Sequence, residues 1–374
     1  MRIEPFAVEM WMNEWETRCR YNLAETCVDS ITIEELLKLS GQNSADLSAI
    51  LAMKMTYGAI EGSDRLRAAI ADLFDHQSAE NITVTHGTIA ANMLVHKALV
   101  ERNDHVVAIV PTYQQHYSIP ESIGANVDTL ELLEENSFLP DLEELRGIVH
   151  KKTKLIALTN PNNPTGALMD EAMLLRVAEI ARSVGAYVLC DEVYRGTDQT
   201  GTGLTTSIAD LYEKGISTGS TSKAFSLAGL RLGWIVGPQE VQQTVMIHRD
   251  YDTISVGMIN DYLACLALEN RDKILARSQQ ITRDNLVMLE DWVANEPRIS
   301  WVKPNSGTTA MLKFDLPVTS RELCIDLLEK TGVMFTPGDA FGMDDHIRIG
   351  FGNSPVALQK GLQKVSKYLT EHPT

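Results

Sequence analysis

One stretch decides how this chain folds: Ser217–Trp234, which reads STGSTSKAFSLAGLRLGW. At its centre Lys223 lies between small hydroxylated residues, including Ser220 and Ser222, and Arg231 follows eight positions later. Because apolar sequence follows the lysine, we expect its amine to be partly buried, which lowers its pKa and makes it nucleophilic toward an aldehyde. The neighbouring hydroxyl groups are suited to hold a phosphate. A single lysine in a Ser/Gly-rich turn is usually a surface residue, so the rest of the chain has to decide.

Strand-like and helix-like segments alternate from about residue 80 to residue 236. The strand-like segments are Ile82–Thr85, Val106–Val110, Lys154–Thr159, Tyr187–Cys190 and Gly233–Val236. The helix-like segments are Thr88–Val100, 114–123 and 170–184. Strands that alternate with helices of about ten to fifteen residues indicate βαβ units, so the pattern predicts an α/β fold with a mostly parallel central sheet.

The pattern changes after about residue 270. A long helical stretch at 271–294 precedes short strands and two further helices, near 299–303, 308–314, 320–330, 333–336, 346–350 and 354–371. This order predicts a smaller α+β domain. Residues 5–17 carry apolar residues among acids, as in a short amphipathic arm. We therefore predict an N-terminal arm at 1–40 that contributes to the small domain, a large domain at 41–270 and a small C-terminal domain at 271–374.

Composition and charge narrow the classes of partner. The 374 residues include 33 Lys and Arg against 50 Asp and Glu, a net charge of −17, which argues against nucleic acid or an anionic membrane as a partner. Five cysteines without a C-x-x-C pair argue against a zinc site and a disulfide framework, so we expect no metal and a reducing compartment. Because the sequence shows neither an apolar run of about 20 residues nor a signal-peptide core, we expect a cytoplasmic protein.

Polar residues follow several predicted strands at their carboxyl ends, where open α/β sheets bind ligands. Gly87 and Thr88 stand between the strand Ile82–Thr85 and a helix, so backbone N–H groups and the positive end of the helix face an anion such as phosphate. Asn163 lies in Asn160–Gly166, where two prolines and a glycine form a rigid turn that mounts an amide. In isolation each motif is also explained as an ordinary junction or loop.

Four further residues suit a charged or planar ligand. Asp191, at the end of a predicted strand, is costly to bury unless a cation such as a protonated pyridine nitrogen pairs with it. Tyr194 is suited to donate its phenol to the same ring, and Tyr113 to stack on it. Arg348, inside an apolar strand, is suited to clamp a carboxylate. A local ion pair, a cap or packing also explains each of them singly, but together with Lys223 they suggest a pyridoxal phosphate Schiff base.

These segments resemble the fold-type I pyridoxal phosphate enzymes, specifically the class I/II aminotransferase family. The resemblance covers roughly residues 20–370, and its most specific parts are Asn160–Gly166, Asp191–Tyr194, Ser220–Lys223 with Arg231, and Arg348. It implies a three-layer α/β fold, with pyridoxal 5′-phosphate (PLP) bound in the large domain. It also implies an amino acid and a 2-oxo acid as substrates.

The resemblance implies a role for each residue near the cofactor ring. Lys223 would form the Schiff base and shuttle the proton between the substrate α-carbon and the cofactor C4′. Asp191 would pair with the pyridinium nitrogen, while Asn163 and Tyr194 would bond the ring oxygen O3′. Tyr113 would stack on the ring. Lys223, Asp191 and Tyr194 are therefore the expected catalytic residues.

The resemblance also implies how the charged ends of cofactor and substrate are held. The phosphate would be bound by backbone and side-chain groups of Gly87, Thr88, Ile89, Ser220, Ser222 and Arg231. Tyr57 resembles the tyrosine that reaches the phosphate of the neighbouring subunit, so a homodimer with shared active sites is expected. Arg348 would grip the α-carboxylate of the substrate, beside Asn163.

The resemblance leaves the reaction open. We expect an aminotransferase, which moves the α-amino group of an amino acid to a 2-oxo acid through aldimine and ketimine intermediates. Lyases, enzymes that eliminate at the β or γ carbon, cyclising enzymes, decarboxylases and oxidases retain the same cofactor site. The run Tyr21–Val28 departs from the Gly-x-Pro arrangement that is common there in aminotransferases. Because that segment normally covers the substrate, elimination or cyclisation of an amino acid remains the alternative.

Two other questions concern the substrate and the class of protein. If Asp250 or Asp252 occupies the place of the arginine that aspartate-type members extend across the dimer, a cationic side chain such as that of arginine, ornithine or lysine is expected. A solvated acidic loop explains the same residues. Some regulators use this fold as a ligand sensor joined to a DNA-binding domain, but the short N-terminal region and the negative charge argue against that role.

Overall fold

The computed structural model describes residues 2–42, 47–201 and 203–371. The strands are β1 (Tyr21–Asn22), β2 (Ile82–Thr85), β3 (His105–Val110), β4 (Asn126–Glu131), β5 (Thr153–Thr159), β6 (Tyr187–Asp191), β7 (Gly215–Ser220), β8 (Gly233–Val236), β9 (Ile299–Trp301), β10 (Thr309–Phe314), β11 (Val333–Met334), β12 (Thr336–Pro337) and β13 (His346–Gly350). The helices are α1 (Ala7–Trp15), α2 (Ile33–Leu39), α3 (Ser48–Leu51), α4 (Asp64–Ala71), α5 (Gly87–Leu99), α6 (Gln115–Ile123), α7 (Leu142–Ile148), α8 (Glu171–Val184), α9 (Ile208–Leu211), α10 (Gln239–Arg249), α11 (Met258–Glu269), α12 (Arg271–Asn295), α13 (Ser320–Thr331) and α14 (Pro355–Glu371).

Strands β2 to β8 form a seven-stranded sheet in the order β2-β8-β7-β6-β5-β3-β4. Strand β8 runs antiparallel to both neighbours, and the other pairs are parallel. In β5, Leu155 packs with Leu94 of α5 and Val241 of α10 on one face. The next residue, Ile156, packs with Val177 of α8 on the other face. Helices therefore cover both faces, which confirms the predicted α/β class with a mostly parallel sheet.

The sequence pattern does not predict β4 or β7. Strand β4 lies at the edge of the sheet and exposes most of its side chains, so it lacks an apolar run. Strand β7 lies near the centre and is buried throughout, but its side chains are small and mostly hydroxylated. Ser217 and Thr218 are accommodated there because their hydroxyl groups donate to buried Glu192 and Asn92, each at 2.7 Å.

The N-terminal arm packs with the C-terminal elements. Strand β1 pairs in parallel with β11, and Trp11 of α1 donates its indole N–H to the Phe335 carbonyl oxygen at 2.8 Å. Strands β12, β13, β10 and β9 form an antiparallel sheet in that order, and α13 and α14 pack into the same core. The domain boundaries after residues 40 and 270 stay predictions. Within the described ranges, no helix combines the length and the apolar character needed to cross a membrane.

Candidate active site

A cavity of about 290 Å³ lies where the carboxyl ends of β3, β5, β6 and β7 approach the N-terminal arm. The residues predicted for the site that line it are Thr88, Ile89, Tyr113, Asn163, Asp191, Tyr194, Ser220, Ser222, Lys223, Arg231 and Arg348. Most of them come together because the carboxyl ends of parallel strands meet at one edge of a sheet. Arg348 reaches the same cavity from β13.

Lys223 lies in the loop after β7 and contacts the arm. Its Nζ donates to Thr26 Oγ1 at 2.6 Å and to Cys27 Sγ at 3.4 Å. Burial lowers the pKa of this ammonium, but Cys27, Tyr194 and Glu25 raise it, and the net shift is upward. The expected lowering of the Lys223 pKa is therefore wrong for the cofactor-free protein, because the combined effect of Cys27, Tyr194 and Glu25 on the amine outweighs that of burial.

Glu25 is the neighbour of Lys223 that carries a charge at neutral pH. Burial raises the pKa of the Cys27 thiol to about 11 and also raises the pKa of Tyr194, so both groups are neutral. Burial acts to raise the pKa of Glu25 too, but Lys223 and nearby N–H groups lower it, and the net shift is downward. Its Oε1 accepts the backbone N–H groups of Thr26 and Cys27 at 2.7 and 2.8 Å.

Asp191 ends β6 as a buried carboxylate held by two donors. Its Oδ2 accepts from Asn92 Nδ2 at 2.8 Å, and its Oδ1 accepts from the Val193 N–H at 3.1 Å. Asn92 is fixed in turn by Thr218, whose hydroxyl donates to the Asn92 Oδ1. Burial raises the pKa of Asp191 to about 6. Sequence reasoning missed Asn92, although its position four residues after Thr88 places it on the same face of α5.

The start of α5 faces the guanidinium of Arg231. Gly87 has φ +79°, and a Cβ there would lie 3.0 Å from Arg231 Nη2, so glycine permits the close approach. Gly87 thus shapes this end of the cavity without lining it. Thr88 Oγ1 is buried and has no partner among the described residues. The helix N-terminus, Arg231, Ser220 at the end of β7 and Ser222 in the loop after it form a site suited to a phosphate.

Arg348 is buried in β13 and held by the protein on two of its three nitrogens. Nη1 donates to Asn163 Oδ1 at 3.2 Å, and Nη2 donates to the Ala24 carbonyl oxygen at 3.1 Å and to Thr336 Oγ1 at 3.0 Å. The Nε is buried and has no partner within the described part of the chain. This guanidinium is suited to bind a carboxylate in the cavity.

Two predicted tyrosines have surroundings that the sequence did not indicate. The Tyr113 hydroxyl donates to Glu9, and its ring lies 4.6 Å from that of Phe6 at an interplanar angle of 53°. The arm therefore covers one side of Tyr113. Tyr57 does not line the cavity and is 79% exposed in the single chain.

Two sets of acidic residues differ in their position relative to the cavity, and the hypothesis about Asp250 and Asp252, which concerns the neighbouring subunit, stays a prediction. Asp250 and Asp252, proposed to face a cationic substrate, are exposed and do not line the cavity of the single chain. Three arm residues that were not predicted, Glu9, Glu16 and Glu25, line it instead. The departure of Tyr21–Val28 from the Gly-x-Pro arrangement was the one signal for the last of them.

Comparison with known proteins identifies the family. The family model described as "Aminotransferase class I and II" matches residues 51–365. The chain belongs to this family. The predicted fold-type I architecture and the predicted cofactor, PLP, are therefore confirmed.

Relatives in the class I and II aminotransferase family differ in their reactions. Capreomycidine synthase from Streptomyces vinaceus is 30% identical over 98% of this chain and 94% of its own length. A solved structure of a PLP-dependent aminotransferase from Streptococcus suis 89-1591 is 39% identical, with a TM-score of 0.97 over 100% of both chains. The structure of the PLP-dependent cyclase OrfR is 27% identical, with a TM-score of 0.90 over 99% of this chain and 98% of that one. Membership of the family therefore does not fix the reaction.

The cavity of this chain has features that fit PLP independently of the family match. Asp191 is buried and belongs to none of the ion pairs between described residues, so a pyridinium is the kind of partner it lacks. The unpartnered Thr88 hydroxyl and the glycine-permitted approach of Arg231 suit the phosphate. Ser220 and Ser222 line the cavity beside them.

Proposed function

We propose that this chain is a PLP-dependent aminotransferase that moves the α-amino group of an amino acid to a 2-oxo acid. The observation that supports this function is that one cavity brings together the amine of Lys223, the buried carboxylate of Asp191 and the guanidinium of Arg348. These groups suit, in that order, proton transfer at the α-carbon, charge pairing with the cofactor ring and binding of the α-carboxylate.

The surroundings of each residue support its proposed task. When bound, PLP supplies the electron sink for the electron pair left at the α-carbon. Lys223 Nζ accepts the α-proton, and Thr26 Oγ1, 2.6 Å from it, positions the amine. Asp191, fixed by Asn92, keeps the proton on the ring nitrogen. Arg348, held by Asn163, Thr336 and the Ala24 carbonyl oxygen, binds the α-carboxylate.

Elimination or cyclisation on the side chain of the substrate is the second candidate. Glu25 and Thr26 stand beside Lys223, within the run that replaces the common Gly-x-Pro arrangement. They provide a second carboxylate and a hydroxyl that can carry a proton to or from a leaving group. The match of capreomycidine synthase and of the cyclase OrfR over nearly the whole chain also favours this candidate.

Product analysis with and without a 2-oxo acid separates the two reactions. The holoenzyme is incubated with single amino acids, alone and with pyruvate or 2-oxoglutarate, and products are followed by mass spectrometry. An aminotransferase gives one equivalent of oxo product per site without an acceptor and many turnovers with one. Many turnovers without an acceptor would contradict aminotransfer and support elimination or cyclisation, whereas no product under either condition would contradict both.

We also propose a homodimer in which Tyr57 reaches the phosphate of the partner's cofactor. Tyr57 and the nearby Met55 are 79% and 72% exposed in the single chain, so an apolar surface is left uncovered there. Loss of a hydrogen bond to a charged phosphate predicts that Tyr57→Phe raises the Kd for PLP about tenfold. Equilibrium dialysis measures this Kd, and sedimentation equilibrium measures the mass.

The matched control for this variant is Tyr187→Phe, since Tyr187 is partly exposed at the start of β6, the opposite end of that strand from Asp191, and lies outside the cavity. We expect this control to bind PLP like the unmodified protein. A monomer at assay concentration, or an unchanged Kd in Tyr57→Phe, would count against shared sites.

A further inference from the structure

The N-terminal arm places three carboxylates, those of Glu9, Glu16 and Glu25, on the wall of the cavity. The ion pairs between described residues include none of them. Their hydrogen bonds come from neutral donors: the Tyr113 hydroxyl to Glu9, the Asn22 amide to Glu16 at 3.4 Å, and backbone N–H groups to Glu25. The arm wall is therefore a concentration of negative charge, and Lys223 is the cavity cation that acts on Glu16 and Glu25 in the cofactor-free protein.

The cations that line the cavity are already used in the proposed function. In the described part of the chain they are Lys223, Arg231 and Arg348. Arg231 serves the phosphate, Arg348 the α-carboxylate, and Lys223 the cofactor and the α-proton. Asp191 is likewise occupied by the ring nitrogen. Binding of cofactor and α-carboxylate therefore leaves the arm carboxylates without a counter-charge.

The like charges of the arm carboxylates repel one another, and the pKa of Glu16 reflects this repulsion. Burial and then the charges of Glu25 and Glu9 raise the pKa of Glu16, whereas, despite burial, Lys223 and nearby donors lower the pKa of Glu25. Like charges in one partly buried site are costly, and a cation placed among them relieves that cost. The arm wall is thus complementary to a positively charged group.

A second observation, on Arg348, supports binding of a carboxylate-bearing ligand at this end of the cavity. Arg348 is 2% exposed, lines the cavity, and has an Nε without a partner among the described residues. Its Nη2 bonds the carbonyl oxygen of Ala24, the residue directly before Glu25. The carboxylate anchor and the acidic wall therefore adjoin, and one molecule with an α-carboxylate and a distal cation suits both.

We infer that Glu9, Glu16 and Glu25 form a subsite for a cationic side chain, so that the substrate is an amino acid with a terminal guanidinium or ammonium group. The inference rests on the proposed function, which assigns the α-carboxylate to Arg348. A side-chain carboxylate would face the arm wall with like charge, so dicarboxylic amino acids are rejected by the same groups.

Paired substrates that differ in charge but not in size test the subsite. The holoenzyme is given arginine or its neutral isostere citrulline, with lysine and ornithine as ammonium-bearing alternatives. Both kcat/KM with a 2-oxo acid and the calorimetric Kd are measured. We expect arginine or an ammonium substrate to exceed citrulline by about tenfold or more, the value of one charge-assisted hydrogen bond.

Variants that neutralise one arm carboxylate at a time test which of the three glutamates causes the preference for arginine over citrulline. Glu9→Gln, Glu16→Gln and Glu25→Gln are each expected to reduce the ratio of kcat/KM for arginine to kcat/KM for citrulline by about tenfold. For Glu16→Gln, whose side chain accepts from Asn22 and not from a residue of the proposed catalytic set, we expect kcat/KM for citrulline to change little. Glu14→Gln is the matched control, since Glu14 is exposed on the same helix as Glu9 and does not line the cavity. Cofactor content and circular dichroism establish that each variant is folded.

The outcomes separate this inference from the proposed function. Equal use of arginine and citrulline, or an unchanged ratio in all three glutamine variants, would overturn the subsite. If neutral amino acids are then transaminated, the proposed aminotransferase still stands. Charge-dependent binding of arginine without any amino transfer would instead support the subsite and overturn the proposed function.

Discussion

Replacement of Lys223 by alanine is expected to abolish the visible absorption band of the bound cofactor and to lower kcat by at least about 10³-fold. Among the described residues that line the cavity, Lys223 is the one lysine. Its hydroxyl neighbours cannot replace it as a base, because burial raises the pKa of Tyr194 further above the neutral range. Absorption spectra and single-turnover kinetics with the preferred amino acid measure both effects.

Two control variants separate loss of the amine from loss of the fold. Lys223→Arg keeps a cation facing Glu25, but a guanidinium does not deprotonate at neutral pH, so we expect the same loss of activity. Lys152→Ala removes an exposed lysine far along the chain from the site and should retain full activity. A band that persists in Lys223→Ala, or turnover within tenfold of the unmodified protein, would contradict the assignment.

The parts of the fold that the sequence predicted are those in which burial and residue type agree. Strands β5 and β6 are apolar runs covered on both faces, and their limits were predicted to within one residue. Strand β7 is equally central, but its hydroxyl groups are satisfied by Glu192 and Asn92, which lie far away in the sequence. No local pattern reveals such partners, so this strand could not be predicted.

The candidate site likewise contains residues that the sequence could predict and residues that it could not. Asp191, Lys223 and Arg231 belong to short motifs at strand ends, so a single sequence was enough to group them. The position of the arm over the cavity could not be predicted, because Thr26 contacts Lys223 although the two residues are 197 positions apart in the sequence. The predicted direction of the Lys223 pKa shift was wrong for the same reason, since the shift depends on Cys27, Tyr194 and Glu25, which lie far from Lys223 in the sequence.

Asp191→Asn is expected to change stability and activity in opposite directions. In the cofactor-free protein, burial raises the pKa of Asp191 from 3.8 to about 6. The folded protein therefore binds this proton more tightly than the unfolded chain does. Its free energy of unfolding falls as the pH rises through this window, by about 3 kcal/mol in total. Asparagine cannot ionise, so the cofactor-free variant should be the more stable protein above pH 6 by up to that amount.

The same substitution removes the partner of the ring-nitrogen proton in the holoenzyme. Breaking a buried charge pair costs about 3–5 kcal/mol, so we expect kcat to fall by about 10²- to 10⁴-fold. Urea denaturation of the cofactor-free proteins at pH 5 and pH 8 measures stability, and the assay of the holoenzymes measures kcat. Asp291→Asn, on the exposed side of α12, should alter neither.

The opposite signs make the result hard to explain by a structural role alone. If Asp191 served only to hold Asn92 in the core, its replacement would lower the stability of the cofactor-free protein and would reduce activity through misfolding. A site that binds a cationic ring needs a buried carboxylate, even though that carboxylate lowers the stability of the cofactor-free protein. Opposite effects on stability and on turnover are therefore what this role predicts. A cofactor-free Asp191→Asn protein that is less stable at pH 8 would therefore argue against the proposed role.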